Sequence, residues 1–152
     1  MPLRLKTATT QGIQAMVDLA LHEGQGPIPV AAIAKRQGIP GECLGQLLHR
    51  LRRAGLVTAA RGVHGGYALS RASSKISVAD IVQVLEARAA RRNGSSEDEA
   101  APAADPATRL VWTRVEVAVT TALATTTLAE LAAEARRGAA NHAVNHTYTF
   151  HI

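Results

Sequence analysis

Glu42, Gln46, His49 and Arg53 follow one another at the spacing that stacks side chains along a single face of an α-helix. A carboxylate, an amide, an imidazole and a guanidinium in a row are equipment for recognition. Gln46 can pair bidentately with adenine, and Glu42 can accept from the cytosine amino group or repel a wrong base. His49, Arg50, Arg53 and Lys35 suit phosphate oxygens. Taken singly, each also fits an ordinary solvated helix position; taken together they point to double-stranded DNA.

A second cluster reads RGVHGGY, Arg61 to Tyr67. Gly62, Gly65 and Gly66 permit a sharp turn and a close approach to the sugar-phosphate wall. Arg61 suits a narrow A·T-rich minor groove, where negative potential concentrates, and His64 suits a phosphate. Tyr67 closes the stretch and belongs to the same expected contact set.

Cys43 has two readings. Helix N-termini favour a thiolate, so an oxidisable thiol there would add bulk at the DNA face; equally, Cys43 is a small apolar residue packing beside Leu44 and Leu47. His142 and His146 would share a face for a metal if the tail were helical, but the polar run around them is expected to be disordered. No nucleophile elbow, P-loop, HExxH or Rossmann glycine pattern occurs, and the acids of SSEDE sit in a segment unable to hold them in place, so catalysis is not expected.

These residues need helices and a hairpin to hold them. Apolar spacing predicts a first helix over 10–23, ended by GQGPIP, and a second over 30–37. In a third, from about 41 to 54, Leu44, Leu47, Leu48 and Leu51 form the stripe opposite the polar row. LVTAA and YALS flank the glycine loop as a hairpin. A helix-turn-helix followed by a hairpin is a winged helix, with RGVHGGY as its wing. Ser77 with Asp80, and Thr127 with Glu130, have the spacing of capping boxes for two more helices. Between those, from about 107 to 124, Val111, Trp112, Val115, Val119, Ala122 and Leu123 line a broad apolar surface whose natural cover is the same helix of a second subunit.

The fold class is therefore mostly α with a small β-wing: a winged helix-turn-helix plus a long dimerisation helix. The expected organisation is a DNA-binding domain over 1–88, a flexible acidic loop over 89–106, the dimerisation and C-terminal helices over 107–138, and a disordered tail over 139–152.

At 152 residues one core is expected. Seventeen Lys and Arg against twelve Asp and Glu leave +5, and the excess lies N-terminally: residues 1–75 carry ten basic and three acidic side chains, the rest seven and nine. That concentrated field suits a polyanion. One cysteine excludes an internal disulfide framework and a cysteine-only metal site within the chain. Neither a signal peptide nor a membrane span is visible, so a cytoplasmic protein without membrane contact is expected.

The segments IQAMVDLAL, IPVAAIAKRQGI, LGQLLHRLRRAGLV, RGVHGGYAL, SVADIVQVLE and TLAEL together resemble the IscR-like, or Rrf-two, winged-helix regulators. The resemblance implies a homodimeric transcription factor, usually a repressor, and for many members an iron-sulfur cluster held by three cysteines between the fourth helix and the dimerisation helix. The corresponding RRNGSSEDEAAPAAD has no cysteine, so no cofactor is expected here. Pro40 stands where the family often has a capping serine and Gly45 where several members have glutamate, so an operator does not transfer from relatives. The signal is left to Cys43, histidines, a small-molecule effector or a protein partner docking on the acidic loop.

Overall fold

The computed structural model describes residues 5–92 and 105–146. Its elements run α1 (Thr7–Leu21), α2 (Val30–Gln37), α3 (Gly41–Arg53), β1 (Val57–Ala60), β2 (Gly66–Leu69), a 3-10 turn (Ser73–Lys75), α4 (Val78–Arg92), α5 (Pro106–Thr125) and α6 (Leu128–His146). The expected class, mostly helical with one small antiparallel hairpin, is the observed one.

The core is the set of leucine, isoleucine and alanine stripes that the helical period places inward. Met16, Leu19 and Ala20 of α1 meet Ile33 of α2, the four leucines of α3, Ile81 and Leu85 of α4, and Leu128 and Ala132 of α6. Almost all of this is aliphatic, so removal of apolar surface from water holds the fold, at about 1.5–3 kcal/mol for each fully buried large side chain.

One charge is buried with it. Asp18, 1% exposed, accepts from Arg36 Nε at 2.9 Å and Nη2 at 2.6 Å, and from Gln37 Nε2 at 3.1 Å. Burial alone pushes its carboxyl up, but the hydrogen bonds from Arg36 and Gln37 and the charges of Arg36 and His22 outweigh that and hold it below the ordinary carboxylate value. This clamp fixes α2 on α1, and so fixes where α3 starts.

Both capping boxes are present: Ser77 Oγ accepts from the Asp80 amide at 3.1 Å while Asp80 accepts from the Ser77 amide at 2.9 Å, and Thr127 and Glu130 do the same. The two box sites are tied to each other, Val78 N donating to Thr126 O at 2.9 Å and Leu128 N to Ile76 O at 2.8 Å. The starts of α4 and α6 are therefore one locked corner.

The C-terminal end differs from the expectation. Gly138 does not stop the last helix, which continues to His146 through alanine-rich sequence. A glycine inside a helix costs only about 1 kcal/mol, and the flanking alanines are the best helix formers. The disordered tail expected over 139–152 is thus helical over 139–146. The flexible loop expected over 89–106 is described only at its ends, where α4 runs on to Arg92 and the Asp105 side chain caps α5 by accepting from Thr108 N at 3.0 Å. Residues 93–104 and 147–152, and the mobility expected of them, lie outside the described residues.

Candidate nucleic-acid interface

Helix α3 separates its faces as the spacing predicts. Leu44, Leu47, Leu48 and Leu51 are buried, and Glu42, Gln46, His49 and Arg53 are all exposed. No side chain caps its start; Pro40 supplies the carbonyl that Leu44 N reaches at 3.0 Å. The acidic residue of the first turn and Arg50, Arg52 and Arg53 of the last each lie at the helix end whose partial charge they favour. Lys35 on α2 is exposed, and space is open around Gly45.

Arg50 is the exception to the phosphate assignment. Its Nη2 donates to the main-chain oxygens of Val84 at 3.0 Å and Leu85 at 2.8 Å, so the guanidinium that was expected to meet phosphate instead pins α3 to α4. The reason is geometric: Arg50 falls between the buried stripe and the polar row, where the side of the helix faces α4. Its partners are more than thirty residues away in sequence, which no local spacing can signal.

The wing is a four-rung antiparallel hairpin, Val57 opposite Leu69 through Ala60 opposite Gly66. An isolated bridge between Ile28 and Tyr67 adds one reciprocal pair of main-chain bonds beside β2, with both N···O distances at 2.8 Å. Tyr67, expected in the contact set, is half-buried against the core and anchors the base of the wing. The structure also assigns the glycines different work from that expected. A Cβ on Gly65 would lie 2.5 Å from Ala60 O, and one on Gly66 would collide with Ile28 O, so these two glycines let the hairpin close on itself and on the α1–α2 loop. Gly62, at φ +107 with open space around it, is the one free to approach something outside. Gly65 N donates to Gly62 O at 3.0 Å, closing a four-residue turn that carries Val63 and His64 at its tip; Arg61 and His64 are exposed. Sequence reasoning passes over Val63, since one apolar residue in a turn carries no polar signal.

Beside the reading face lies a cleft of about 750 Å³ between the start of α1, α3 and α4, lined in part by Lys6, Thr9, Cys43, Gln46, His49 and Arg50. Cys43 is a free, exposed thiol, which answers the packing alternative: Leu44 and Leu47 are buried beside it, and Cys43 is not. On the cleft's edge Glu86 accepts a hydrogen bond from Thr9 and pairs with Lys6 at 3.3 Å. Burial pushes its carboxyl up, and those two partners bring it below the ordinary value. Among the described residues no three His, Cys, Asp or Glu side chains group as metal ligands, and no helix is long and apolar enough to cross a membrane. The backbone of α6 does set His142 and His146 one turn apart.

Helix α5 buries no residue. Leu110, Val111 (58% exposed), Trp112 (54%), Val115 and Val117 stand open, while Val119 and Leu123, nearer the end that packs on α4, are half-buried. Val111, Trp112, Val115, Val119 and Leu123 fall on one face at the helical period, and large exposed apolar residues grouped in this way are unusual on an isolated chain.

A family model described as Rrf2, iron-dependent transcriptional regulator, matches residues 5–134. The chain is 41% identical over 134 residues to a Synechocystis protein named for an HTH-type transcriptional regulator, covering 88% of this chain and 90% of that one. Among solved structures it superposes on IscR of T. potens with a TM-score of 0.73 at 39% identity, over 89% of this chain and 90% of that one. It also superposes on CymR, the global cysteine regulator of B. subtilis, with a TM-score of 0.75 at 36% identity, over 87% of this chain and 98% of the other.

Proposed function

Because the chain belongs to the Rrf2 family of transcriptional regulators, we propose that it is a cytoplasmic, homodimeric, sequence-specific DNA-binding repressor and not an enzyme. The observation that carries this reading is the exposed row Glu42, Gln46, His49 and Arg53 on a helix locked from behind by four buried leucines, in one chain with a rigid glycine wing. In the dimer two copies of α3 enter successive major grooves of a pseudo-palindromic site. Gln46 and Glu42 read base edges, Lys35, His49 and Arg53 hold phosphates, and the wing carries Arg61 and His64 to the backbone or minor groove.

The residues present do not fit a conventional three-thiolate cluster site, because the chain has one cysteine and it lies on α3. We therefore infer regulation without such a cluster. A second reading is favoured by one observation: Cys43 is exposed in the cleft that also contains Gln46 and His49. Oxidation of that thiol would place a bulkier, more polar group beside the reading residues and weaken DNA binding.

Selection of duplexes from a random-sequence pool by the full chain tests the function. An inverted repeat with half-sites about 10 bp apart, centre to centre, is expected; no enrichment over the starting pool overturns the reading. Iron and sulfide assays on protein purified without oxygen decide the cofactor, since matching iron and sulfide would overturn the clusterless inference. The redox reading is lost if Cys43→Ser retains peroxide-sensitive binding.

A further inference from the structure

Val63 is 96% exposed, while nearly every other large aliphatic residue of the DNA-binding half is buried or half-buried. It is presented, not merely uncovered: it occupies a central position of the Gly62–Gly65 turn, at the tip of a hairpin stiffened by four ladder pairs and by the bridge to Ile28. Its exposed neighbours are cations or potential cations, Arg61 and His64, and residues 61–66 contain no carboxylate, amide or hydroxyl side chain. The tip therefore offers donors and apolar carbon, and its side chains offer almost no acceptor.

The minor groove of A·T-rich DNA has the complementary chemistry. Its floor carries only acceptors, adenine N3 and thymine O2, and its walls are the C–H faces of deoxyribose. A G·C pair adds the guanine N2 amino donor at the centre of the floor. Against a valine methyl that donor would be desolvated without a partner, and an unmade buried hydrogen bond is costly. We propose that Val63 is a specificity-determining residue of the wing, packing on the sugar walls of the minor groove and excluding G·C pairs beneath it while Arg61 serves the groove's acceptors. This rests on the DNA-binding reading above and extends it to a residue with no polar group.

The test uses the full chain and the duplex that it enriches from a random pool. Replacing the flanking adenines by 2,6-diaminopurine adds an N2 amino group to the minor groove and leaves the major-groove edge unchanged. Wild-type affinity is expected to fall about tenfold on the modified duplex, and Val63→Ser, whose hydroxyl can accept from that amino group, should lose little. On the unmodified duplex Val63→Ser should bind about tenfold more weakly than wild type, and Val63→Ile should keep both the affinity and the discrimination. Equal affinities and equal responses to diaminopurine in wild type and Val63→Ser overturn the role of Val63 while leaving DNA binding intact. Failure of the wild type to enrich any duplex overturns both.

Discussion

Arg50 and Arg53 show how little residue type alone decides. Three positions apart on one helix, both are arginines in the last turn of α3; one donates to Val84 and Leu85 oxygens and the other is exposed and makes no ion pair among the described residues. Their alanine variants should therefore fail differently. Arg50→Ala removes two charge-assisted bonds between α3 and α4, and a loss of about 2 kcal/mol is expected by chemical denaturation. Arg53→Ala should leave stability within about 0.5 kcal/mol, weaken DNA binding uniformly across sequences, and lower the salt slope by about 1 per protomer. If Arg50→Ala melts like wild type but loses DNA affinity, the inward bond is not what holds it and the phosphate assignment returns. Sequence alone points Arg50 to phosphate because a cationic side chain next to a polar row looks solvated until the third dimension supplies carbonyls. Asp18 was equally illegible: its burial depends on Arg36 and Gln37 arriving from the next helix.

At the scale of elements, legibility follows the range of the forces. The leucine stripe of α3, the bounds of α2 and both capping boxes depend on residues within one or two turns, and all are where the spacing puts them. The wing's position was legible too, but not the reason for Gly65 and Gly66, because the atoms they avoid belong to Ala60 and to Ile28. The expected boundary of the C-terminal helix at 138 rests on Gly138, since glycine commonly follows a helix end. In the structure it is an interior residue of α6, without positive φ and with open space where a Cβ would go. The two readings predict opposite signs. Gly138→Ala should stabilise the protein by about 0.5–1 kcal/mol and increase helical circular dichroism, since alanine loses less backbone freedom in a helix. A left-handed cap at this position would make the same change destabilising.

For the molecule as a whole, the proposed dimer would couple the basic field of the N-terminal half to the open face of α5 through its symmetry. Of the cations assigned to DNA contact, Lys35, Arg53 and Arg61 are exposed and have no ion-pair partner among the described residues, so in the proposed dimer each protomer would bring three cations, and the pair six, to displace counterions from DNA. Neutralising six phosphates gives a slope of log K against log salt of about −5. Val115, at 37% exposure, belongs to the apolar face of α5, and Val115→Asp puts a charge where a second copy of the helix is proposed to pack. The single tryptophan, Trp112, lies on the same helix and reports directly: its emission should shift to the blue as wild-type protein associates on concentration, and stay red in the variant. The variant should then bind the selected duplex with about half the slope, near −3, because only one reading head is engaged. Folding of the winged helix should be unaffected, since α5 contributes no buried residue to its core. A variant that remains monomeric yet keeps the full slope would mean that all the phosphate contacts come from one protomer, and the symmetric arrangement of two reading heads would have to be abandoned.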